Sequence, residues 1–200
     1  MRTLFVLILA MTTIHAQQNI PKSIRKEALL ALSHYPLLEQ TDITFKFKKK
    51  LHKSIMKAQP KFGALFKSRR KRGYVILISE SFQLGDSLFR TKNLDSDILI
   101  GWLGHELGHI MDYRNRSNLN LIGFGINYYF SKQFIKEAER AADGYAVAAG
   151  LAPYILKAKN FILNKAGISK KYRNRIKELY LSPDEIMVLV KQLEETKETE

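Results

Sequence analysis

The chain has 200 residues, enough for one domain with a sizeable core, and it contains no cysteine. Disulfide bonds and a lipid anchor on an N-terminal cysteine are therefore excluded, so stability must come from the core and from any bound metal. The 33 Lys and Arg residues outnumber the 19 Asp and Glu residues and give a formal net charge of +14, which suggests an anionic partner.

The first residues have the pattern of a secretory signal peptide. Arg2 gives a positive start, residues 4–11 form an apolar run, and Ala16 is a small residue at which cleavage can occur. The run is too short to span a bilayer comfortably. We therefore expect export to the periplasm or the medium after removal of 1–16, which leaves 17–200 as a single domain. An uncleaved N-terminal anchor is the alternative.

The next segments predict one helix and then strands. Residues 23–32 form the helix, which ends before a proline. Alternation of apolar and polar residues over 43–48 predicts a half-buried strand, and a second extended piece is expected over 54–66, broken at Pro60 and Gly63. Residues 69–73 indicate a hairpin loop, and 74–79 is the strongest strand pattern in the chain.

The second half of the chain predicts helices. The first begins at an N-cap, Asp95 or Ser96, and extends to about Tyr113. Residues 119–130 are apolar and are interpreted as a core segment, with a lid or a membrane-dipping segment as alternatives. Further helices are expected over 131–149, from Pro153, and from the capping box at Ser182 and Glu185 to Leu193, before a fraying tail. The order of elements predicts an α+β fold.

Residues 46–72 form a basic segment. No acidic residue lies between Asp42 and Glu80, whereas Lys and Arg recur throughout that interval. Such a block suggests binding to a membrane surface, an envelope polymer, an acidic substrate or nucleic acid, and nucleic acid is the least favoured of these. The alternative is a solvated face that binds nothing.

The most specific motif is His105-Glu106-Leu107-Gly108-His109, the H-E-x-x-H pattern of zinc hydrolases. Residues four apart on a helix lie about 5–6 Å apart at Cβ, so both imidazoles can bind one ion at about 2.0–2.1 Å. Glu106 is rotated by about 100° from His105 and can take a proton from a water on the metal. The alternative is a pair of core histidines bonded to carbonyl groups, with Glu106 in a salt bridge.

A catalytic zinc site needs a third protein ligand. Asp112 shares the face of the two histidines, but three ligands along one helix are nearly collinear, so we expect it to hold a loop or a neighbouring side chain. Glu139 and Asp143 share a face of the next long helix, whereas Glu137 is displaced from it by about 200°. We expect Glu139 on the metal and Asp143 on a ligating imidazole. The alternative is a solvent-exposed Glu139.

Small residues line both of these helices. A helical glycine costs about 1 kcal/mol relative to alanine, so several of them predict a close approach between backbones. We expect the glycine strip of one helix to pack on the small residues of the other and to bring Glu139 to the metal. The residues concerned are Gly101, Gly104 and Gly108 on the first helix and Ala142, Ala146 and Gly150 on the second.

The H-E-x-x-H motif followed by Glu139-Arg140-Ala141-Ala142-Asp143 resembles the H-E-x-x-H and E-x-x-A-D pair of the gluzincin zinc metallopeptidases, and most closely the M48 (Ste24/HtpX-like) peptidase family. The resemblance covers about 95–150. It implies a zincin-like fold, in which a small N-terminal mixed sheet packs on the active-site helix and a mainly helical half follows. It also implies His105, His109 and Glu139 as zinc ligands, Glu106 as general base and Asp143 as the partner of a ligand. The histidine that usually follows downstream is missing here, so the candidates for stabilising the oxyanion are Tyr145, Tyr172, Arg173 and Arg175.

The sequence therefore predicts an exported zinc metalloendopeptidase, with a peptide or protein as its substrate. The strand at 74–79, if it lies at a sheet edge beside the site, would bind an extended substrate by strand addition. Two alternatives belong to other classes: a basic envelope-binding module with a non-catalytic zinc site, and a zinc hydrolase of a non-peptide amide.

Overall fold

The structure is a computed structural model that describes residues 19–51, 54–165 and 167–199. The signal peptide predicted over 1–16 lies outside these ranges, so export stays a prediction. None of the helices in the described ranges combines the length and the apolar character needed to cross a membrane.

The N-terminal part is a helix followed by a three-stranded sheet. Helix α1 spans Arg25–Ser33, and strands β1, β2 and β3 span Ile43–Lys48, Met56–Pro60 and Tyr74–Ser79. The strand order is β1-β3-β2, in which β1 is parallel and β2 antiparallel to β3. The sheet is mixed. The predicted helix and the strands predicted over 43–48 and 74–79 are confirmed. The extended piece predicted over 54–66 is confirmed only for Met56–Pro60, and a 3-10 helix follows at Ala64–Phe66.

Strand β3 is central in this sheet and is hydrogen-bonded on both sides. The edge position that strand addition at residues 74–79 would require is therefore not met. The uninterrupted apolar run of β3 is typical of a strand that is covered on both faces, because such strands lose the alternation of half-exposed ones. The edge strand on this side is β2, whose residues pack against the motif helix.

A second, two-stranded sheet was not predicted. Strands β4 and β5 span Ser81–Leu84 and Ser87–Arg90 and pair as an antiparallel hairpin. Its turn contains Gly85 at φ 60°, a left-handed conformation that glycine adopts without steric cost. The buried side chains of this hairpin pack on Ile162 and Ile168 and form a small satellite core.

Six further α-helices follow within the described ranges. They are α2 Ser96–Asn115, α3 Asn118–Phe130, α4 Lys132–Ala148, α5 Ala152–Leu163, α6 Lys170–Leu179 and α7 Pro183–Glu198. The capping box at Ser182 is present, with both of its hydrogen bonds. Helix α6 was not predicted, and α7 continues past Leu193 through the segment expected to fray, since that segment contains neither Gly nor Pro.

Helix α2 lies at the centre of the fold and packs against α1, α4, α5 and β2. Its N-cap is Asp95, which accepts a hydrogen bond from the backbone of Asp97 at 3.0 Å. Buried apolar side chains surround most of the helix, so the polar groups of the motif lie in an interior where burial without a partner is costly.

Helix α3 departs from the expectation of an ordinary core segment. Only Leu121 and Phe124 are buried along it. The opposite face carries large apolar side chains that are exposed to solvent, namely Leu119, Ile122, Ile126, Tyr129 and Phe130. The prediction is therefore correct for one face of this helix and wrong for the other.

Candidate metal centre

Three side chains from α2 and α4 converge on one point. The carboxylate oxygen Oε2 of Glu139 lies 3.0 Å from Nε2 of His105 and 3.3 Å from Nε2 of His109. One ligand atom from each of the three residues falls within 4.8 Å of the other two. His109 and Glu139 are buried and His105 is largely so, so this group could hold a metal ion.

The spacing of the ligand atoms fits a metal. Two atoms that each lie about 2.0–2.1 Å from a tetrahedral ion are about 3.3–3.4 Å apart, close to the 3.0 and 3.3 Å observed. Two imidazoles and one carboxylate are also the ligand set of the catalytic sites in which a fourth position is left for water. The donor atoms, these two separations and the burial of the side chains therefore agree with a metal site.

Asp143 holds the other nitrogen of His105. Its Oδ1 lies 2.9 Å from Nδ1 of that imidazole, the arrangement that orients a ligating histidine and keeps Nε2 directed at the metal. Burial lowers the pKa of His105, but the hydrogen bonds to Asp143 and Glu139 outweigh it and raise the pKa to about 10. The placement predicted for Asp143, on an imidazole of the motif, agrees with the structure.

Asp143 has two further partners that sequence reasoning did not anticipate. Lys159 of α5 donates to Oδ2 at 2.8 Å, and the backbone N–H of Leu181 donates to the same oxygen at 3.0 Å. Both Asp143 and Lys159 are buried, and burial raises the pKa of Asp143, but the His105 hydrogen bond and the Lys159 charge lower it below its ordinary value. Asp143 is therefore an anchored anion that links α5 and the loop before α7 to His105.

Glu106 lies beside the three ligand residues and is not one of them. Its Oε2 accepts a hydrogen bond from the backbone N–H of Ala58 on β2 at 2.6 Å. Burial raises the pKa of its carboxyl group above the ordinary value, and the two histidines partly counteract this shift. A buried carboxylate with a raised pKa, held beside the metal position, has the properties of a general base.

The second oxygen of Glu139 is bound by α3. The hydroxyl of Tyr128 donates to Oε1 at 2.5 Å, which orients the carboxylate so that Oε2 faces the histidines. Burial raises the pKa of Glu139, but the nearby His109 and His105 lower it well below its ordinary range. No motif or spacing in the sequence predicts this role of Tyr128, because the residue lies on a different helix from Glu139.

His109 is held by packing. Its ring stacks on Tyr113 at a centroid distance of 5.9 Å, and its Nδ1 is buried without a hydrogen-bond partner in the described part of the chain. The two histidine rings meet edge to face at 4.8 Å. These contacts direct both Nε2 atoms to the same side of α2.

The four candidates for an oxyanion-stabilising group are placed differently. Tyr172 and Arg175 line a cavity that His105 and Glu106 also line. Tyr145 is directed elsewhere and accepts a hydrogen bond from Asn115 at 2.9 Å, and Arg173 is not among the cavity-lining residues.

Tyr180 is a further residue that the sequence did not single out. Its ring lies 5.6 Å from the His105 ring, and the Lys159 ammonium lies 4.8 Å above it. Burial raises the pKa of its hydroxyl well above the ordinary value, so the group is a neutral hydrogen-bond donor next to the site.

The cavity beside the metal centre has a volume of about 120 Å³. Its walls come from β2, α2, α5 and α6 and are largely apolar. The lining residues include Ile55, Met56, Trp102, Ile155, Ile162 and Ile176. Because His105 and Glu106 also line it, an apolar group in this cavity would lie next to these two side chains.

The two rejected carboxylates are placed as expected. Asp112 accepts a hydrogen bond from Arg116 at 2.9 Å and thus holds a neighbouring side chain. Glu137 accepts one from Gln133 on the exposed face of α4, also at 2.9 Å. Neither belongs to the cluster of ligand atoms.

The predicted glycine strip is only partly correct. A Cβ at Gly108 would lie 2.3 Å from the carbonyl oxygen of Ala142, so α2 and α4 touch there by their backbones. A Cβ at Gly101 would instead meet Tyr154 of α5, and one at Gly104 would meet the side chain of Leu151. The glycine strip of α2 therefore allows close approach of α4 at Gly108 and of α5 at Gly101, because α4 and α5 pack side by side against α2.

Comparison with known proteins identifies no relative of this chain. No family model, no curated protein and no solved structure matches this chain. The likeness to gluzincin peptidases rests on the two motifs, and it stays a prediction.

Proposed function

We propose that the protein is a zinc-dependent metalloendopeptidase of gluzincin type, in which Glu106 is the general base. The observation that carries the proposal is the convergence of His105, His109 and Glu139 on one position with Glu106 beside it. A closed structural zinc site would use a fourth protein ligand. The cluster found within the described ranges has three, which favours a catalytic site.

Each residue of the site has a separate role in this proposal. A zinc ion held by the three ligands would lower the pKa of a coordinated water and polarise a substrate carbonyl. Glu106 receives the proton at Oε1, because its Oε2 is bound to the Ala58 N–H, and then delivers it to the leaving amine. Asp143 and Tyr128 hold His105 and Glu139 in the orientation that this requires.

The substrate in this proposal is an extended peptide that lies along β2. The backbone N–H of Ala58 on β2 donates to Glu106. A peptide that lies beside β2 would therefore run next to the Glu106 carboxylate. The neighbouring cavity, of about 120 Å³ and lined mainly by apolar side chains, suits one bulky apolar side chain of the peptide. This combination favours cleavage next to an aliphatic or aromatic residue.

The experiment is metal analysis combined with peptide hydrolysis on the purified full chain. We expect about one zinc per chain and cleavage of unstructured peptides that a chelator abolishes. Glu106→Gln should keep the zinc and lose the activity, since glutamine retains an oxygen for the Ala58 N–H but cannot accept the proton. His105→Ala and His109→Ala should lose both.

The remaining outcomes separate the other functions. Activity that survives Glu106→Gln would show that Glu106 is not the general base. Bound zinc without hydrolysis of any amide would leave a non-catalytic zinc module, and hydrolysis of small amides but not of peptides would leave a non-peptide amidase.

A further inference from the structure

Helix α3 presents an unpartnered apolar face, here called the α3 stripe. It consists of Leu119, Ile122, Ile126, Tyr129 and Phe130. Their spacing of three or four residues places them on one side of the helix. Leu119 and Tyr129 are 83 % and 81 % exposed, and a contiguous exposed apolar patch of this kind marks an interaction surface.

The opposite face of α3 is the one that holds the helix in place. Leu121 and Phe124 enter the core, and Tyr128 donates to Glu139. The α3 stripe is therefore not needed for the contacts of the helix with the rest of the protein.

A basic loop over residues 61–72 adjoins the beginning of α3. The side chain of Asn118 donates to the carbonyl groups of Leu65 and Lys67 at 2.8 and 3.1 Å. Buried Arg72, at the end of the loop, donates to the carbonyl groups of Tyr113 and Arg116 at the C-terminal end of α2. These bonds fix the loop to the junction of α2 and α3, so the loop and the stripe belong to one region of the surface.

The loop itself combines aromatic and cationic groups. Phe62 and Phe66 are fully or almost fully exposed, at 107 % and 94 %. The side chains of Lys67, Arg70 and Lys71 are also exposed. Neither the loop nor the stretch 113–136, which contains α3, includes a single Asp or Glu.

We propose that the α3 stripe and the 61–72 loop together form a surface that binds the interface of an anionic lipid membrane. Apolar and aromatic side chains enter the boundary between headgroups and acyl chains, while Lys and Arg contact the anionic headgroups. In this proposal the binding is peripheral, because it uses side chains on the outer face of α3 and on the loop. The proposal does not depend on the chemistry of the metal centre.

A second copy of the chain fits this surface less well. In a two-fold pair both copies present the same surface, so the basic loops would meet no acidic residue of the facing loop or of the facing stretch 113–136, and the charges would not be complementary. An anionic membrane supplies both an apolar interior and the opposite charge.

The consequence for the site follows from Tyr128. It lies on the inner face of α3, bonded to Glu139, while the outer face of the same helix contacts the membrane. The metal centre would thus be held one helix away from the lipid surface. A protein or peptide at that surface would be the substrate within reach.

The test uses a fluorescent reporter, which the absence of cysteine makes site-specific. The full-length variants Ile126→Cys and Leu88→Cys, both at exposed positions, are labelled with an environment-sensitive dye. We expect a blue shift at position 126 with phosphatidylglycerol vesicles, little change with phosphatidylcholine vesicles, and none at position 88. The N-terminal apolar run is the same in both variants, so it cannot produce the difference.

Three results would overturn the proposal. One is no shift at position 126 with anionic vesicles, and another is an equal shift at 126 and 88. The third is a shift that appears without vesicles as protein concentration rises, which would assign the stripe to self-association.

A charge-reversal pair tests the basic loop. Arg70→Glu with Lys71→Glu should weaken vesicle binding by roughly tenfold or more, because each reversal replaces attraction to the anionic headgroups by repulsion. Lys22→Glu with Lys26→Glu, exposed residues near α1, changes the net charge equally and should have a smaller effect. Equal losses in the two pairs would show that only the overall charge matters and would overturn the role of the loop.

Discussion

A Cβ added to Gly108 would lie 2.3 Å from the carbonyl oxygen of Ala142. This relationship sets the distance between α2, which carries the two histidines, and α4, which carries Glu139. Because the obstructing atom belongs to a backbone, no side-chain rotation can relieve the contact, and the helices must separate if Gly108 is enlarged.

The first prediction follows from that contact. Gly108→Ala should lower zinc affinity and the free energy of unfolding, although no ligand is changed. Gly144→Ala is the matched control, since a Cβ at Gly144 meets nothing within 4 Å, and it should be neutral or stabilising by up to about 1 kcal/mol. The two variants are compared by chemical denaturation and by zinc competition with a chelator. Unchanged zinc affinity in Gly108→Ala would contradict the packing argument.

The second prediction separates two carboxylates on α4. Glu139→Ala should lose most of the zinc affinity, because it removes one of the three converging ligand atoms. Glu137→Ala should leave the affinity unchanged, because that side chain accepts a hydrogen bond from Gln133 on the exposed face and is not among the converging ligand atoms. Isothermal titration with zinc measures both. The reverse order would show that the wrong carboxylate had been assigned.

The third prediction concerns the hydroxyl group that orients Glu139. Tyr128→Phe removes its hydrogen bond to Oε1 and should weaken zinc binding by roughly tenfold, at the lower end of the losses seen when a residue that orients a ligand is changed. Tyr129→Phe, on the neighbouring exposed position, should bind zinc like the unmodified chain. Equal affinities for all three proteins would mean that Tyr128 does not support the ligand.

The fourth prediction concerns Lys159. Lys159→Met removes one cationic partner of the buried Asp143, which keeps its hydrogen bonds to His105 and to the Leu181 N–H. The loss of unfolding free energy should therefore lie near the lower end of the about 3–5 kcal/mol that breaking a buried pair costs. Lys157→Met removes an exposed lysine that pairs with Asp95 and Asp97, and exposed pairs contribute only about 0–1 kcal/mol. Urea denaturation of both variants provides the comparison. Similar losses in the two would indicate that the Lys159 pair contributes no more than a surface one.

The fifth prediction is a pH dependence that arises at the start of α7. Glu185 pairs with Arg140 at 2.6 Å, and this hydrogen bond, with that of the Ser182 backbone, lowers the pKa of its carboxyl group from 4.5 to about 2. A lowered folded-state pKa stabilises the protein above the unfolded value, so the contribution should be complete above about pH 4.5 and lost as pH falls through about 2.

The size of that contribution is modest, because Glu185 is largely exposed and solvent screens the pair. Glu185→Gln should remove this part of the pH dependence while the rest of the acid unfolding curve is retained. Denaturation curves between pH 5 and about 2 measure it. A variant whose stability falls with pH as steeply as that of the unmodified chain would contradict the assignment.

Local patterns were sufficient for much of the site. The H-E-x-x-H spacing requires only the period of a helix to bring His105 and His109 to one face. The same period distinguished Glu139 and Asp143 from Glu137. These side chains could be placed because each placement depends on residues within one helix. The approach of α4 to α2 was indicated by Gly108, which lets the two backbones touch. The ends of α2 and the start of α7 were also predictable, since their caps bond to residues two or three positions away.

Only the tertiary structure decided which elements lie beside one another. Strand β3 is central and β2 is the edge because the chain crosses over after β1, and no residue pattern in 74–79 encodes that order. Tyr128, Lys159 and Tyr180 reach the metal centre from three segments that are distant in sequence. The sequence by itself therefore determined which candidate ligands share a helix face. The side chains that orient them depend on packing between helices, which involves contacts too far apart along the chain for any local period to specify.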